Sequence, residues 1–203
     1  MKIVSRIKNI TVNNYINEIN ESIDNKNYLS ALTIALIIPD ICCNYLGEKR
    51  KYGYIKWFNK YVFRSYYDFP KNKEIKKLPK EKQDIYKIKF NGYVCYALRC
   101  AILHSGNAYI QFKNENDKVK AHIDEIELCV NEQSDRDNQY GEAVSILTSN
   151  DGTKNVKIRI NTINFIDNII NGYTDFLNEK GIKDIKLFSM IDWDKQDINK
   201  DKE

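Results

Sequence analysis

The chain has 203 residues, of which 42% are hydrophobic, 12% aromatic and 30% charged, with 8 Gly and 3 Pro. That length suits one large domain, and those fractions suit a soluble globular protein with a real core; they exclude a disordered or collagen-like chain. The net charge of +4 hides an asymmetry, because residues 1–110 hold 19 Lys/Arg against 9 Asp/Glu and residues 111–203 hold 13 against 19. A basic first half can hold a polyanion through phosphate contacts and counterion release, and an equally weighted reading is a solvated Lys-rich surface.

The first amphipathic segment is Val12 to Asn25, where Tyr15, Ile16, Ile19 and Ile23 recur at helical spacing. Asn27 is placed to open a second helix with a broad apolar face of Leu29, Leu32, Thr33, Leu36, Ile37 and Cys43. Pro39 lies inside that pattern and predicts a kink between Ala35 and Asp40, with Gly47 as a stop. Lys51 to Tyr66 predicts a helix with Ile55, Phe58, Tyr61 and Val62 inward and Trp57 near the edge. Residues 68–84 hold two of the three prolines and read as a long loop. The strongest helical pattern is Lys89 to Ser105, on Phe90, Val94, Ala97, Leu98, Ala101 and Ile102, closed by Gly106 in a left-handed cap.

The period then changes to two. Ala121–Val130, Glu142–Ser149 and Asn155–Thr162 are short and rich in Ile and Val, with Asn150-Asp151-Gly152 as a tight turn. They predict a small antiparallel meander of three strands. Thr162 is placed to cap a last helix over 163–179, closed by Gly181, and residues 194–203 read as a frayed tail. The expected architecture is a single, mainly α domain. Residues 12–112 and 163–180 form a helical bundle, and residues 113–162 form a β insertion.

The five cysteines, Cys42, Cys43, Cys95, Cys100 and Cys129, form no CxxC pair. They read as small buried hydrophobes in a reducing compartment, not as a disulfide frame or zinc site. The N-terminal residues lack the apolar stretch of a secretion signal. The apolar run Ala31 to Cys43, interrupted by Thr33, Pro39 and Asp40, is too short for a bilayer of roughly 30 Å. A cytoplasmic protein with no membrane partner, no metal and no cofactor is expected.

Chemistry points to one helix. Arg99 lies in an apolar helical stretch, and His104, one of two histidines, lies in its last turn. A buried Arg needs a carboxylate, and Asp40 and Glu48, near both ends of the kink, are the candidates for orienting Arg99 or His104. Asp40 has a blander alternative, satisfying backbone groups freed by Pro39. Five positions along an α-helix amount to a rise of about 7.5 Å and a rotation of about 140°, so the two side chains diverge in a rigid helix. They meet only if Arg99 extends along the helix and His104 lies at its frayed end. A second copy across a two-fold axis would set two such pairs over one cleft. Ser105 and Asn107 either hold a phosphate and the His or simply cap the helix. Lys49, Arg50, Lys51 and Lys56, interleaved with Tyr52, Tyr54 and Trp57, form a candidate RNA-tracking stretch, against a reading in which the aromatics are core. His122 reads as a surface or packing residue.

Arg99 through His104 resembles the R-x4-6-H signature of the HEPN superfamily, late in a long helix that follows a central kinked helix, Leu32 to Asp40. The similarity is to members of abortive-infection and toxin–antitoxin type and covers residues 12–112 and the returning helix at 163–179. The residue after the Arg, often polar in active members, is Cys100 here. The resemblance implies a HEPN-like helical bundle and a homodimer acting as a metal-independent endoribonuclease of a bacterial defence system. The catalytic residues would be Arg99 and His104, the substrate RNA, and a cognate antitoxin protein a partner. The rival reading is a non-catalytic interaction module, or an RNA-binding module that leaves RNA intact.

Overall fold

In the computed structural model, residues 2–48, 50–63, 90–106, 125–130, 142–148 and 154–196 are described. The chain is mainly helical, with small antiparallel strand pairings. Strand β1 (Lys2–Thr11) leads into α1 (Val12–Asp24), α2 (Tyr28–Ala35), α3 (Ile38–Tyr45) and α4 (Arg50–Phe58). A π turn, Asn59–Phe63, extends α4. Helix α5 (Gly92–Cys100) is likewise extended by a π turn, Ala101–Ser105. Strands β2 (Glu125–Cys129), β3 (Glu142–Thr148) and β4 (Lys154–Asn161) precede the longest helix, α6 (Thr162–Lys180), and β5 (Lys186–Gln196) follows it.

Pro39 does more than kink a helix. The chain breaks at Leu36–Ile37 into two eight-residue helices, with Pro39 in the first turn of α3, where its missing N–H costs no helical bond. Tyr54 on α4 closes the break by donating its hydroxyl to the Leu36 carbonyl at 3.3 Å. The apolar stretch Tyr28–Tyr45 has the length and composition of a membrane span. Its Ala31, Leu32, Ala35, Leu36, Ile38 and Cys42 are instead buried in the core. Leu29, expected inward, is 65% exposed, because it lies in the first turn of α2 on the side away from Ala31, Leu32 and Ala35.

Helix α6 supplies Phe165, Ile166, Ile169, Tyr173 and Phe176 to the core. Phe165 meets Phe90 edge-on at 5.3 Å, and Phe176 meets Tyr61 edge-on at 5.6 Å. Such aromatic pairs contribute about 0.5–1.5 kcal/mol beyond the area they bury. Trp57, expected near the edge, is fully packed between Tyr61 and Phe176. The cap of α6 is Asn161, whose side chain accepts from the Asn164 N–H at 3.1 Å; Thr162, the expected cap, is already the first helical residue.

The three-stranded sheet has the order β2-β4-β3. The β3–β4 pairing is antiparallel, as the Asn-Asp-Gly signal predicts, but β2 lies on the other edge of β4 and runs parallel to it, so the expected meander is replaced by a mixed sheet. Local turn chemistry specifies the neighbouring pair; the placing of β2 follows from burying Ile126 beside Ile158 and Ile160 in the helical core. One pairing has no counterpart in the sequence reading. Strands β1 and β5 form an antiparallel ribbon, with Lys2 opposite Gln196 and Ile7 opposite Ile191, so Asp194–Gln196 belong to a strand and not to a frayed tail. The ribbon is tied to the body where Val12 N–H donates to the Ile185 carbonyl at 3.1 Å and Tyr173 donates to Asp184 at 2.7 Å.

Candidate functional site

Three side chains from three helical segments meet at one place. Asp40 lies in the first turn of α3, immediately after the helix break, where the partial positive charge of a helix N-terminus favours a carboxylate. Arg99 lies in the last turn of α5. His104 lies in the π turn that follows. Helix α5 starts from a firm cap, with Asn91 accepting from the Tyr93 and Val94 N–H groups. It also crosses α4 at close range: a Cβ on Gly92 would stand 2.5 Å from the Ile55 carbonyl oxygen and 2.9 Å from the Ile55 Cα. Only glycine permits that approach, and it fixes where Arg99 arrives.

The guanidinium is divided between two partners. Its Nε and Nη2 both donate to Oδ2 of Asp40, at 2.9 and 2.8 Å. Its Nη1 faces Nε2 of His104 at 3.3 Å. Arg has no acceptor, so in this contact the imidazole accepts through an unprotonated Nε2 and carries its proton on Nδ1. That state suits a proton acceptor. Asp40 is mostly buried, Arg99 is partly covered with 21% of its side chain exposed, and His104 is open to solvent. The arrangement thus runs from a buried anchor through a held guanidinium to an accessible imidazole.

The surroundings reinforce the charge on Arg99. Burial opposes the cation, but the Asp40 carboxylate and a hydrogen bond with Cys100 outweigh it and hold its pKa above the ordinary value. The Tyr96 phenol is raised above its ordinary pKa, first by burial and then by the neighbouring Cys100 thiol. Tyr96 stacks edge-on with Tyr54 at 5.4 Å, and the Tyr54 hydroxyl lies 3.3 Å from the Cys95 sulfur.

Of the supporting residues expected from sequence, Asp40 joins Arg99 and His104. Glu48 does not, because it accepts from Lys56 at 2.6 Å. Ser105 ends the π turn and is exposed, with Gly106 beyond it in the expected left-handed conformation at φ 64°. Asn107, Lys49 and His122 lie outside the described residues. Arg50 opens α4. Lys51, Tyr52 and Lys56 are exposed on α4, whereas Tyr54 and Trp57 are core residues, so the aromatic-basic stretch presents one aromatic ring and not three. Sequence reasoning missed the shell of Tyr54, Cys95, Tyr96 and Cys100 around Arg99. The i, i+4 spacing of Tyr96 and Cys100 is the one local signal that pointed there.

No family model, no curated protein and no solved structure matches this chain.

Proposed function

We propose that the chain is a metal-independent endoribonuclease of HEPN type, built on a HEPN-like bundle and acting as a homodimer in the cytoplasm. The observation that carries this reading is the meeting of Arg99 Nη1 and His104 Nε2 at 3.3 Å on an accessible face, with Asp40 holding the other side of the guanidinium. RNA brings its own nucleophile. Once the scissile phosphate takes over the Arg99 Nη1 hydrogen bond, neutral His104 takes the 2′-hydroxyl proton at the freed Nε2, the 2′-oxygen attacks phosphorus, and the bond to the 5′-oxygen breaks. Arg99 meets the charge that builds on the non-bridging oxygens. The departing 5′-oxygen takes its proton from His104 of a second copy in the imidazolium form. The products are a 2′,3′-cyclic phosphate and a 5′-hydroxyl. Tyr52 and Lys51 are exposed on α4, where they would meet the strand by stacking and charge.

The test is cleavage of labelled RNA by purified protein in the presence of a chelator. Replacing His104 by Ala is expected to lower the rate by about 10²–10⁴-fold, the usual worth of general acid–base catalysis, with little change in melting temperature because the ring is exposed. Equal cleavage by both proteins rules His104 out. A second reading has its own support: the Asp40–Arg99 pair is a complete structural role for a partly buried Arg, and the motif carries Cys100. On that reading the chain is an interaction or RNA-binding module, and it binds RNA in a salt-dependent way without cutting it.

A further inference from the structure

Arg99 and His104 are five positions apart, a spacing that an α-helix turns through about 140°. Their contact nevertheless forms, and it forms where the helix changes type. The Gly106 N–H points at the Ala101 carbonyl, five residues back, as well as at the Ile102 carbonyl, four back, and Ala101–Ser105 is a π turn. In i→i+5 bonding, residues five apart stand nearly one above the other, as residues four apart do in an α turn. We infer that this widened turn is the positioning element of the site: it brings His104 over Arg99, and the pair depends on the agreement between spacing and turn type, not on the reach of the Arg side chain. The inference rests on the ribonuclease reading for its functional meaning, but its geometry stands apart from it.

The surrounding groups make the widened turn specific. Arg99 is not free to swing toward a displaced ring, because Nε and Nη2 are both held by Asp40. Ala101 and Ile102, at the start of the turn, are buried and fix its inner side. Leu103 is the half-buried residue immediately before the imidazole. Removing one residue at Leu103 leaves a spacing of four, which an ordinary α turn aligns. Adding one residue after Leu103 gives a spacing of six, which neither turn aligns.

The experiment compares three purified proteins: wild type, a single-residue deletion at Leu103, and an Ala insertion after Leu103. Leu103→Ala serves as the control for the lost side chain. Each is checked by thermal unfolding and then read in two ways. Nitrogen-resolved NMR of the His104 ring reports whether Nε2 accepts a hydrogen bond with the proton on Nδ1. RNA cleavage reports activity. The expected result is that the deletion and Leu103→Ala keep the wild-type ring signature and cleave within about tenfold of wild type, whereas the insertion loses the signature and about 10²-fold or more of the rate. Retention of the signature by the folded insertion protein, or its loss in the folded deletion protein, overturns the inference. If wild type does not cut RNA, the ribonuclease reading fails, and the ring signature still decides the role of the turn.

Discussion

Asp40 offers the sharpest separation between a side chain that holds Arg99 and one that only terminates a broken helix. Its Oδ2 accepts from Arg99 Nε and Nη2 at 2.9 and 2.8 Å, with side-chain exposures of 11% for Asp40 and 21% for Arg99. An exposed ion pair is worth about 0–1 kcal/mol, and breaking a fully buried one costs about 3–5 kcal/mol. A pair that is mostly covered yet opens to water on the His104 side lies between, so Asp40→Ala is expected to cost about 2 kcal/mol. For a domain of this size that lowers the melting temperature by about 4–8 °C. Asp40 also sits in the first turn of α3, and that favourable contact with the helix dipole is worth about 0.3–1 kcal/mol whether or not Arg99 is present. A double-mutant cycle divides the two. Asp40→Ala made in an Arg99→Met background is expected to cost only the helix part, leaving a coupling of about 1–2 kcal/mol by denaturant unfolding. A coupling below about 0.5 kcal/mol would refute the account and return Asp40 to the role of serving the backbone at the Pro39 break.

Two other perturbations test the frame around the site. Gly92→Ala drives a Cβ against the Ile55 backbone, so α5 must shift away from α4; a loss of about 1–3 kcal/mol is expected by chemical denaturation, and an unchanged midpoint would show that the two helices cross less closely. Among the described tyrosines Tyr54, Tyr61 and Tyr173 are buried; the Tyr54 and Tyr173 phenols are raised, first by burial and then by Cys95 for Tyr54 and by Asp184 for Tyr173. A raised folded-state value means that their contribution to stability is intact below the unfolded value near 10 and is lost as pH climbs past it. Phenolate absorbance is therefore expected to show these two groups ionising together with the loss of helical circular dichroism; reversible ionisation of every tyrosine in a folded protein would contradict their burial.

The helical part of the fold is legible because its signals are local. Asn27, Gly47, Gly106 and Gly181 mark helix ends, and each does so at or within a residue of the expected place. The β1–β5 ribbon is not legible, because the residues that pair, such as Lys2 and Gln196, are separated by nearly the whole chain and neither strand has a turn signal linking it to the other. The parallel placing of β2 is hidden for a related reason: it reflects which face Ile126 buries after the helices have assembled. Within the site, the need of Arg99 for a carboxylate is readable from burial and charge alone, and it leads to Asp40 or Glu48. The choice of Asp40 over Glu48 is not, since Glu48 has an equally good local partner in Lys56 on the facing helix.

The deeper obstacle to reading the site is that its parts sit where the helices depart from the α period. Asp40 follows a break that Pro39 permits and Tyr54 ties together. His104 rides a turn whose backbone bonds skip one residue more than usual. Arg99 lies on regular helix just before that widening. A wheel drawn at 100° per residue therefore sets Arg99 and His104 about 140° apart, although the structure brings them together. Charge points the same way. Asp40 and a protonated Arg99 cancel, and a ring that accepts from Nη1 adds nothing, so one copy presents a directed N–H and an acceptor without excess positive charge. On the proposed reading, the proton that the departing oxygen needs comes from a second imidazole in its protonated form, while the first keeps the proton it has taken from the 2′-hydroxyl. On that proposal a composite site made from two copies would balance protons and charge, with the Asp40 clamp and the widened turn serving one mechanism.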